Sequence, residues 1–429
     1  TPATTERREP EGDPALVPPY DDSLLIDTAF DTALPLVPPS PPTREKGWRA
    51  FPIWDKATAG GLAVRKGTAL GLGYNLDVDK PEGRRLGRLR RDALPVPLHL
   101  GRSLATYPHL SLAERAKVGR AALALKGLDL ADPDLDTQDF GSWLTAHGQS
   151  ARAVEALWDL VGVATLNAVA GDASLGLAAM VFKTGLLSDP GAADIGWARV
   201  PLGELHDRLA RKALDSAGVR TEVRTRVTSI SPVENGRWSV QVPGETLSAD
   251  AVVLAVPQRE AHDLLPEGAL DAPENLLDIG PAPILNVHVV YDRKVLDKPF
   301  FAALGTPVQW VFDRTDASGL REGQYLALSQ SAAADEIDEP VAALRERYLP
   351  ELERLLPGTR GAEVKDFFVT RERTATFAPT PGVGRLRPGA PCVSAPLRCH
   401  VSSAASIPLA RAPLPRARRI RVVARGCAA

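Results

Sequence analysis

Cysteine is nearly absent from this chain, and Cys392, Cys399 and Cys427 all fall within the last 38 of its 429 residues. Three thiols confined to one end exclude a disulfide framework. Cys399 and His400 have no second pair at ligand spacing, so no metal site is expected. Long apolar runs are missing too. No stretch approaches the roughly 18 to 20 apolar residues of a membrane span, and the first residues lack the basic-then-apolar pattern of a secretory leader. A cytoplasmic protein is the expectation. Charge of one sign is not in excess either: 51 basic against 53 acidic side chains leave a net −2, which argues against a nucleic-acid partner. The chain also lacks G-x-S-x-G, H-E-x-x-H, C-x-x-C and G-x-x-x-x-G-K-[ST], and with them the chemistries those patterns carry. Lysine is scarce, 11 residues against 40 arginines, which reads as GC-rich coding rather than a physical adaptation.

The length suffices for two or three domains, with roughly 75% of the unfolded surface buried. Residues 1–52 hold eleven prolines and few periodic apolar positions, and a loosely extended segment is expected there. A start at Thr1 fits a processed, trimmed or partial chain. Two glycine clusters follow, but neither makes a dinucleotide loop. Gly71-Leu72-Gly73 lacks a third glycine and is followed by Asp77, Asp79 and Pro81; Gly60-Gly61 follows a segment that Pro52 and two charges disqualify as a buried strand.

From about residue 81 the pattern becomes regular. Ser111 and Glu114 form a capping box that starts a helix running to about Lys126. Asp139–His147, Ala151–Ala170 and Ala173–Leu187 read as further helices, with Val154, Leu157, Trp158, Val161 and Leu166 on one side of the second. Pro201–Ala217 is a helix, and Glu222–Val227 a β-branched strand after the Gly218-Val219 step. Trp238–Val242 alternates, Gly244 turns, and Ala251–Val256 is a continuous apolar run ended by Pro257. Strands are expected at Ile284–Tyr291, Val308–Phe312 and Gln324–Ser329, paired antiparallel, with Asn286, His288 and Val290 on one face and Val287 and Val289 on the other. An amphipathic helix over Glu339–Leu356 and a strand over Glu363–Thr370 complete the pattern.

The run from Gly218-Val219 to ADAVVLAVP (249–257) resembles the flavin amine-oxidase and phytoene-desaturase superfamily. ILNVHVVYDRKVL (284–296), FFAALGTPVQWVFDR (300–314) and TATFAPTPGVGRLRP (374–388) are similar to the hydroxysqualene dehydroxylases, also called squalene-associated FAD-dependent desaturases. The resemblance covers about residues 81–388. It implies an α/β fold: an incomplete FAD-binding Rossmann-like domain of the GR2 type, with a helical plus antiparallel-sheet substrate domain. Within that scheme 1–80 is an atypical Pro/Gly-rich segment, 81–200 the helical part of the substrate domain and 201–280 the middle of the FAD domain. Residues 281–345 then form the substrate-domain sheet, 346–390 return to the FAD domain, and 391–429 are an atypical Arg-containing tail.

The implied cofactor is FAD, whose ring supplies the redox chemistry while the protein binds and orients. Val227 matches the position whose backbone recognises the adenine, and Ala255, Val256 and Pro257 the strand end beside the cofactor. His288 and Trp310 are candidates for the substrate cavity, with a buried core role as the alternative for both; the resemblance assigns no catalytic residue. The implied substrate is a long-chain isoprenoid, either dehydroxylated from hydroxysqualene to squalene or desaturated, with peripheral membrane contact for substrate access. Residues 391–429 lack the family's final strand and flavin motif and carry seven Arg with no Asp, Glu or Lys, as a shifted reading frame would. Without this motif and a phosphate loop, weak or absent FAD binding is expected. Two alternatives stay open: a flavin-free remnant that binds apolar lipid, and an Arg-tail binder of RNA or anionic lipid.

Overall fold

A computed structural model describes residues 24–29, 76–79, 87–190, 192, 195, 200–233, 236–388, 392–394, 397–399 and 419–424. The glycine clusters at 60–61 and 71–73 and most of the proline-rich start lie outside the described residues.

The helical block begins where the capping box is. Helix α1, Leu112–Gly127, is started by Ser111, whose Oγ accepts from the Glu114 N–H while Glu114 Oε2 accepts from the Ser111 N–H at 2.8 Å. The other oxygen of Glu114 accepts from Ser150 Oγ (2.7 Å), and that same Oγ accepts from the Ala153 N–H. One carboxylate therefore ties the starts of two helices together. Helix α2 is Phe140–Ala146; α3 covers 151–166 and includes a π-helical stretch, Val154–Asp159; α4 is Leu175–Leu186. Phe140, Trp158 and Phe182 meet among them with ring centroids 5.1–5.8 Å apart. These edge and tilted contacts fill the block's core.

A second core lies between two sheets. Helix α5, Leu209–Ser216, leads through Gly218 into β4, Val219–Val223. The strand expected over Glu222–Val227 thus begins earlier and stops at Val223. Its end is set by Arg224, which takes a left-handed conformation (φ 56°) that no ladder accommodates. A three-stranded meander follows, β5 (Ser229–Val233), β6 (Arg237–Val242) and β7 (Glu245–Ala249), and then β8, Ala251–Ala255. Helix α6, Gln258–Leu264, starts directly after Pro257.

Strand β8 sits inside a six-stranded sheet together with β4, and the other four members come from the two atypical ends. They are β1 (Leu24–Ala29), β14 (Cys392–Ser394), β15 (Leu397–Cys399) and β16 (Arg419–Ala424), in the order β14-β15-β8-β16-β1-β4. Both β15 and β16 run parallel to β8, whereas β1 is antiparallel to β16 and β4. The tail, read as lacking the family's strand-Gly-acid-helix pattern, contributes three strands. The physical reason lies in RIRVVA, where Ile420, Val422 and Val423 give a β-branched segment suited to an interior strand.

The third layer is a seven-stranded sheet in the order β13-β9-β12-β11-β10-β2-β3. Its strands are β2 (Leu76–Asp79), β3 (Gly87–Leu89), β9 (Pro281–Tyr291), β10 (Phe300–Ala303), β11 (Trp310–Asp313), β12 (Gln324–Gln330) and β13 (Val364–Phe377). The expected antiparallel pairing of β9, β11 and β12 is present. One face carries Leu285, Val287, Val289, Val311, Leu326 and Leu328, all buried against Leu344, Tyr348 and Leu352 of helix α7, Val341–Leu355. The other face is the one that meets the helical block.

Candidate functional site

Cross-strand register places particular side chains side by side on that second face. Phe312 stands opposite Ala327, Ala327 opposite His288, and His288 opposite Phe368; in the next row Trp310, Ser329, Asn286 and Thr370 are aligned in the same way. Directly paired residues of an antiparallel ladder project to the same side. The face is therefore a shallow trough. Its floor is the small pair Ala327 and Ser329 on β12, one wall is Trp310 and Phe312 on β11, and the other is His288 on β9 with Phe368 on β13.

The two walls differ in cover. Phe300, Trp310 and Phe312 stack 5.8–6.3 Å apart and merge into the core of the helical block, where Trp310 is buried. Trp310 thus takes the core role, on the same face as His288 but beneath the helices. Ala327, Ser329, Asn286 and His288 are half-buried, and Phe368 is 40% exposed. An apolar strip left half open this way can accept an apolar ligand.

His288 is the imidazole of this face, beside the polar Asn286, Ser329 and Thr370. Its Nδ1 lies 2.8 Å from the Tyr325 hydroxyl, its Nε2 3.1 Å from Thr370 Oγ1, and its ring stacks on Phe368 at 4.5 Å. Burial pushes the ring down to about 4, so it is neutral at physiological pH, and burial raises the Tyr325 phenol. A neutral imidazole has one N–H and one lone pair, so it accepts from one hydroxyl and donates to the other. The charge state also sets a stability window. The folded value lies below the unfolded value near 6.5, so the stabilisation is complete above pH 6.5 and is lost as pH falls from 6.5 towards 4. Urea titrations at several pH values are expected to show wild-type stability declining across that window and His288→Gln declining less. Parallel profiles for the two proteins would mean that the ring titrates normally.

The helical block is locked onto this sheet by Asn167, at the end of α3. Its Nδ2 donates to the Ala282 carbonyl and to Thr376 Oγ1, both at 3.0 Å, and its Oδ1 accepts from the Ala332 N–H at 2.6 Å. A second lock is Asp136, in the short helix Asp134–Thr137, whose carboxylate accepts from Ser174 Oγ (3.0 Å) and the Gly384 N–H (2.8 Å). This one fixes the TPGVGRLRP segment, which the resemblance had marked without a mechanism.

The four expected cofactor positions lie at or just beyond strand ends of the other sheet. Ala255 ends β8 in register with Ala424 of the parallel β16, so two carboxyl ends finish together, the edge at which open α/β sheets take nucleotides. Val256 is buried and Pro257 caps α6. Val227 is buried in the core of Val240, Val252 and Leu254, beyond the end of β4. Neither its N–H nor its C=O has a partner among the described residues, although Thr228 beside it donates to the Gln241 carbonyl at 2.9 Å. Ala255 and Val256 thus stand at a strand end of the kind that takes nucleotides, but a cradle for the FAD diphosphate is not found among the described residues. Among those residues, too, no group of three metal-ligating side chains occurs, and no helix is long and apolar enough to cross a membrane.

Residues 70–398 match the family described as flavin containing amine oxidoreductase. Two curated relatives are similar over part of their length, both hydroxysqualene dehydroxylases. The one from Rhodopseudomonas palustris (strain ATCC BAA-98 / CGA009) is 28% identical over 231 residues, 53% of this chain and 51% of that protein. The one from Sinorhizobium fredii (strain NBRC 101917 / NGR234) is 28% identical over 236 residues, with the same coverage. The chain spans about half the length of the curated relatives it matches. Solved structures with a similar fold include putrescine oxidase bound to putrescine, at TM-score 0.57, 16% identity and coverage of 80% of this chain and 78% of that one. Cyclohexylamine oxidase from Brevibacterium oxydans IH-35A gives 0.56 at 15% identity, and an oxidoreductase from Methanosarcina mazei 0.57 at 14%, with the same coverage.

Proposed function

The chain belongs to the flavin containing amine oxidoreductases, a family whose cofactor is FAD, and on that premise we propose that it is an FAD-dependent reductase of a hydroxylated long-chain isoprenoid, of the hydroxysqualene-to-squalene type. The observation that carries this reading is the trough. A floor of alanine and serine between aromatic walls suits a flexible apolar chain. A charged amine would find no carboxylate among Trp310, Phe312, Ala327, Ser329, Asn286, His288 and Phe368. The helical plus antiparallel-sheet half is then the substrate domain, and the sheet around β8 the FAD domain, of the GR2 type.

Bound reduced flavin supplies a hydride, and a proton turns the departing hydroxyl into water. The chain's own residues do the rest. Val227 would offer main-chain atoms to the adenine, and Ala255, Val256 and Pro257 would hold the strand end beside the cofactor. Phe312 and Phe368 exclude water from the trough, and the helical block, held by Asn167, covers one side of it.

The test is anaerobic: the full chain is loaded with FAD, reduced, and mixed with hydroxysqualene. Squalene formation with return of the oxidised-flavin absorbance is expected. Ala327→Trp, which fills the floor, should raise KM by at least about tenfold with a smaller effect on kcat. If the chain binds the isoprenoid but takes up no flavin, the flavin-free lipid-binding alternative replaces this reading.

A further inference from the structure

We propose that Tyr325, His288 and Thr370 form a proton relay that receives the substrate's hydroxyl in the trough and protonates it as it leaves. The inference rests on the reduction proposed above and adds the residues that would drive it.

The three groups have the required order. Thr370 is exposed on the edge strand β13, His288 is half-buried on β9, and Tyr325 stands on β12 two residues before Ala327 on the same face. His288 bridges the two hydroxyls, at 3.1 Å on the Thr370 side and 2.8 Å on the Tyr325 side. His288 is also the one partner the Tyr325 hydroxyl has among the described residues. With the ring proton on Nδ1, the imidazole donates to the Tyr325 oxygen and accepts from Thr370. The Tyr325 O–H is then free to donate into the trough.

Hydroxide is a poor leaving group, so breaking the C–O bond requires a proton at the oxygen. Tyr325 gives its proton to the substrate oxygen, and the C–O bond breaks to release water. The new C–H bond would be made with the hydride that bound reduced FAD would supply. The Nδ1 proton of His288 passes to the Tyr325 oxygen, and Nε2 takes one from Thr370, which solvent refills. The ring therefore ends neutral, in its other tautomer, and reverts through solvent. In these terms Tyr325 is the catalytic residue, and His288 and Thr370 position it and resupply its proton. A neutral imidazole suits the task because a permanent cation here would oppose an apolar chain.

The experiment compares two substrates on the reduced, FAD-loaded chain: hydroxysqualene, and its acetate ester, whose leaving group departs without protonation. Tyr325→Phe and His288→Gln are expected to slow the alcohol about 100-fold, in the range of general acid catalysis. The ester should slow by less than about threefold; Thr370→Val, which removes the hydroxyl that resupplies the ring, should slow the alcohol as well, and Thr370→Ser should restore it. Equal losses on both substrates, or no loss on the alcohol, overturn the relay while leaving the reductase reading in place. Failure of the wild type on both substrates overturns the two together. A readout independent of turnover is the ¹⁵N spectrum of the His288 ring in the flavin-free chain. Farnesol is expected to shift it and farnesene to leave it unmoved; an identical response to both also overturns the relay.

Discussion

Asn167→Ala is expected to lower the free energy of unfolding by about 3–5 kcal/mol, measured by urea titration. Three costs combine. The buried Ala282 carbonyl loses its partner at 3.0 Å, and an orphaned buried group costs about 1–3 kcal/mol, while the N–H of the exposed Ala332 loses its bond at 2.6 Å. Thr376 also loses its bond to Nδ2. Finally, Asn167 sits at φ 59° as the left-handed residue that ends its helix, which costs alanine about 1 kcal/mol. Asn167→Gly removes the conformational cost but not the hydrogen-bond costs, so it should recover only about 1 kcal/mol. If glycine restored wild-type stability, the bonds across the junction would contribute nothing. Because the same bonds set the helical block over Phe312 and Trp310, substrate affinity should fall with stability in both variants.

Asn167 also shows where sequence reasoning stopped. The helix expected over Ala151–Ala170 stops at Leu166, because Asn167 turns left-handed, and the partners of Asn167 lie 115, 165 and 209 residues away. Local periodicity, by contrast, carried most of the elements. The capping box at Ser111 and Glu114, the apolar stripe of 151–166 and the alternation in VHVVY each depend on neighbours within one or two turns or on one strand. The strand after Gly218 was misjudged at its end, since nothing local in Val-Arg-Thr-Arg announces a left-handed Arg224. His288 was legible as a residue on one face of a strand. Its role was not, because Tyr325 and Thr370 reach it only through the register of three strands. Trp310 was ambiguous for the same reason: strand alternation gives the face, and only the packing of the helical block decides what covers it.

The residue just before the strand that carries Tyr325 tolerates no side chain, and Gly323→Ala is expected to cost about 3–5 kcal/mol. Gly323 has φ +84°, and a Cβ there would fall on the carbonyl oxygen of Tyr291 and within 3.2 Å of its carbon. The clash cannot be relieved cheaply, because both sides are pinned. Beyond Tyr291, the Asp292 N–H donates to the Glu363 carbonyl at 3.0 Å, and Asp292 Oδ1 accepts from the Glu363 N–H at 3.0 Å. On the other side the buried Gln324 accepts from the Val295 and Leu296 N–H groups (2.7 and 2.8 Å) and donates to the Leu296 carbonyl and Asp313 (2.8 and 2.7 Å). Either β12 leaves β9 at this end or Gln324 loses a set of buried bonds. Gly319→Ala separates strain from collision, since Gly319 has φ +75° with nothing within 4 Å of a Cβ. It should cost only the conformational term, about 1–2 kcal/mol. Equal losses for the two variants would show that the approach to Tyr291 carries no energy. A larger loss at Gly323 should be accompanied by a rise in the ¹⁵N-monitored pKa of His288, because moving β12 draws Tyr325 from the ring and opens it to water.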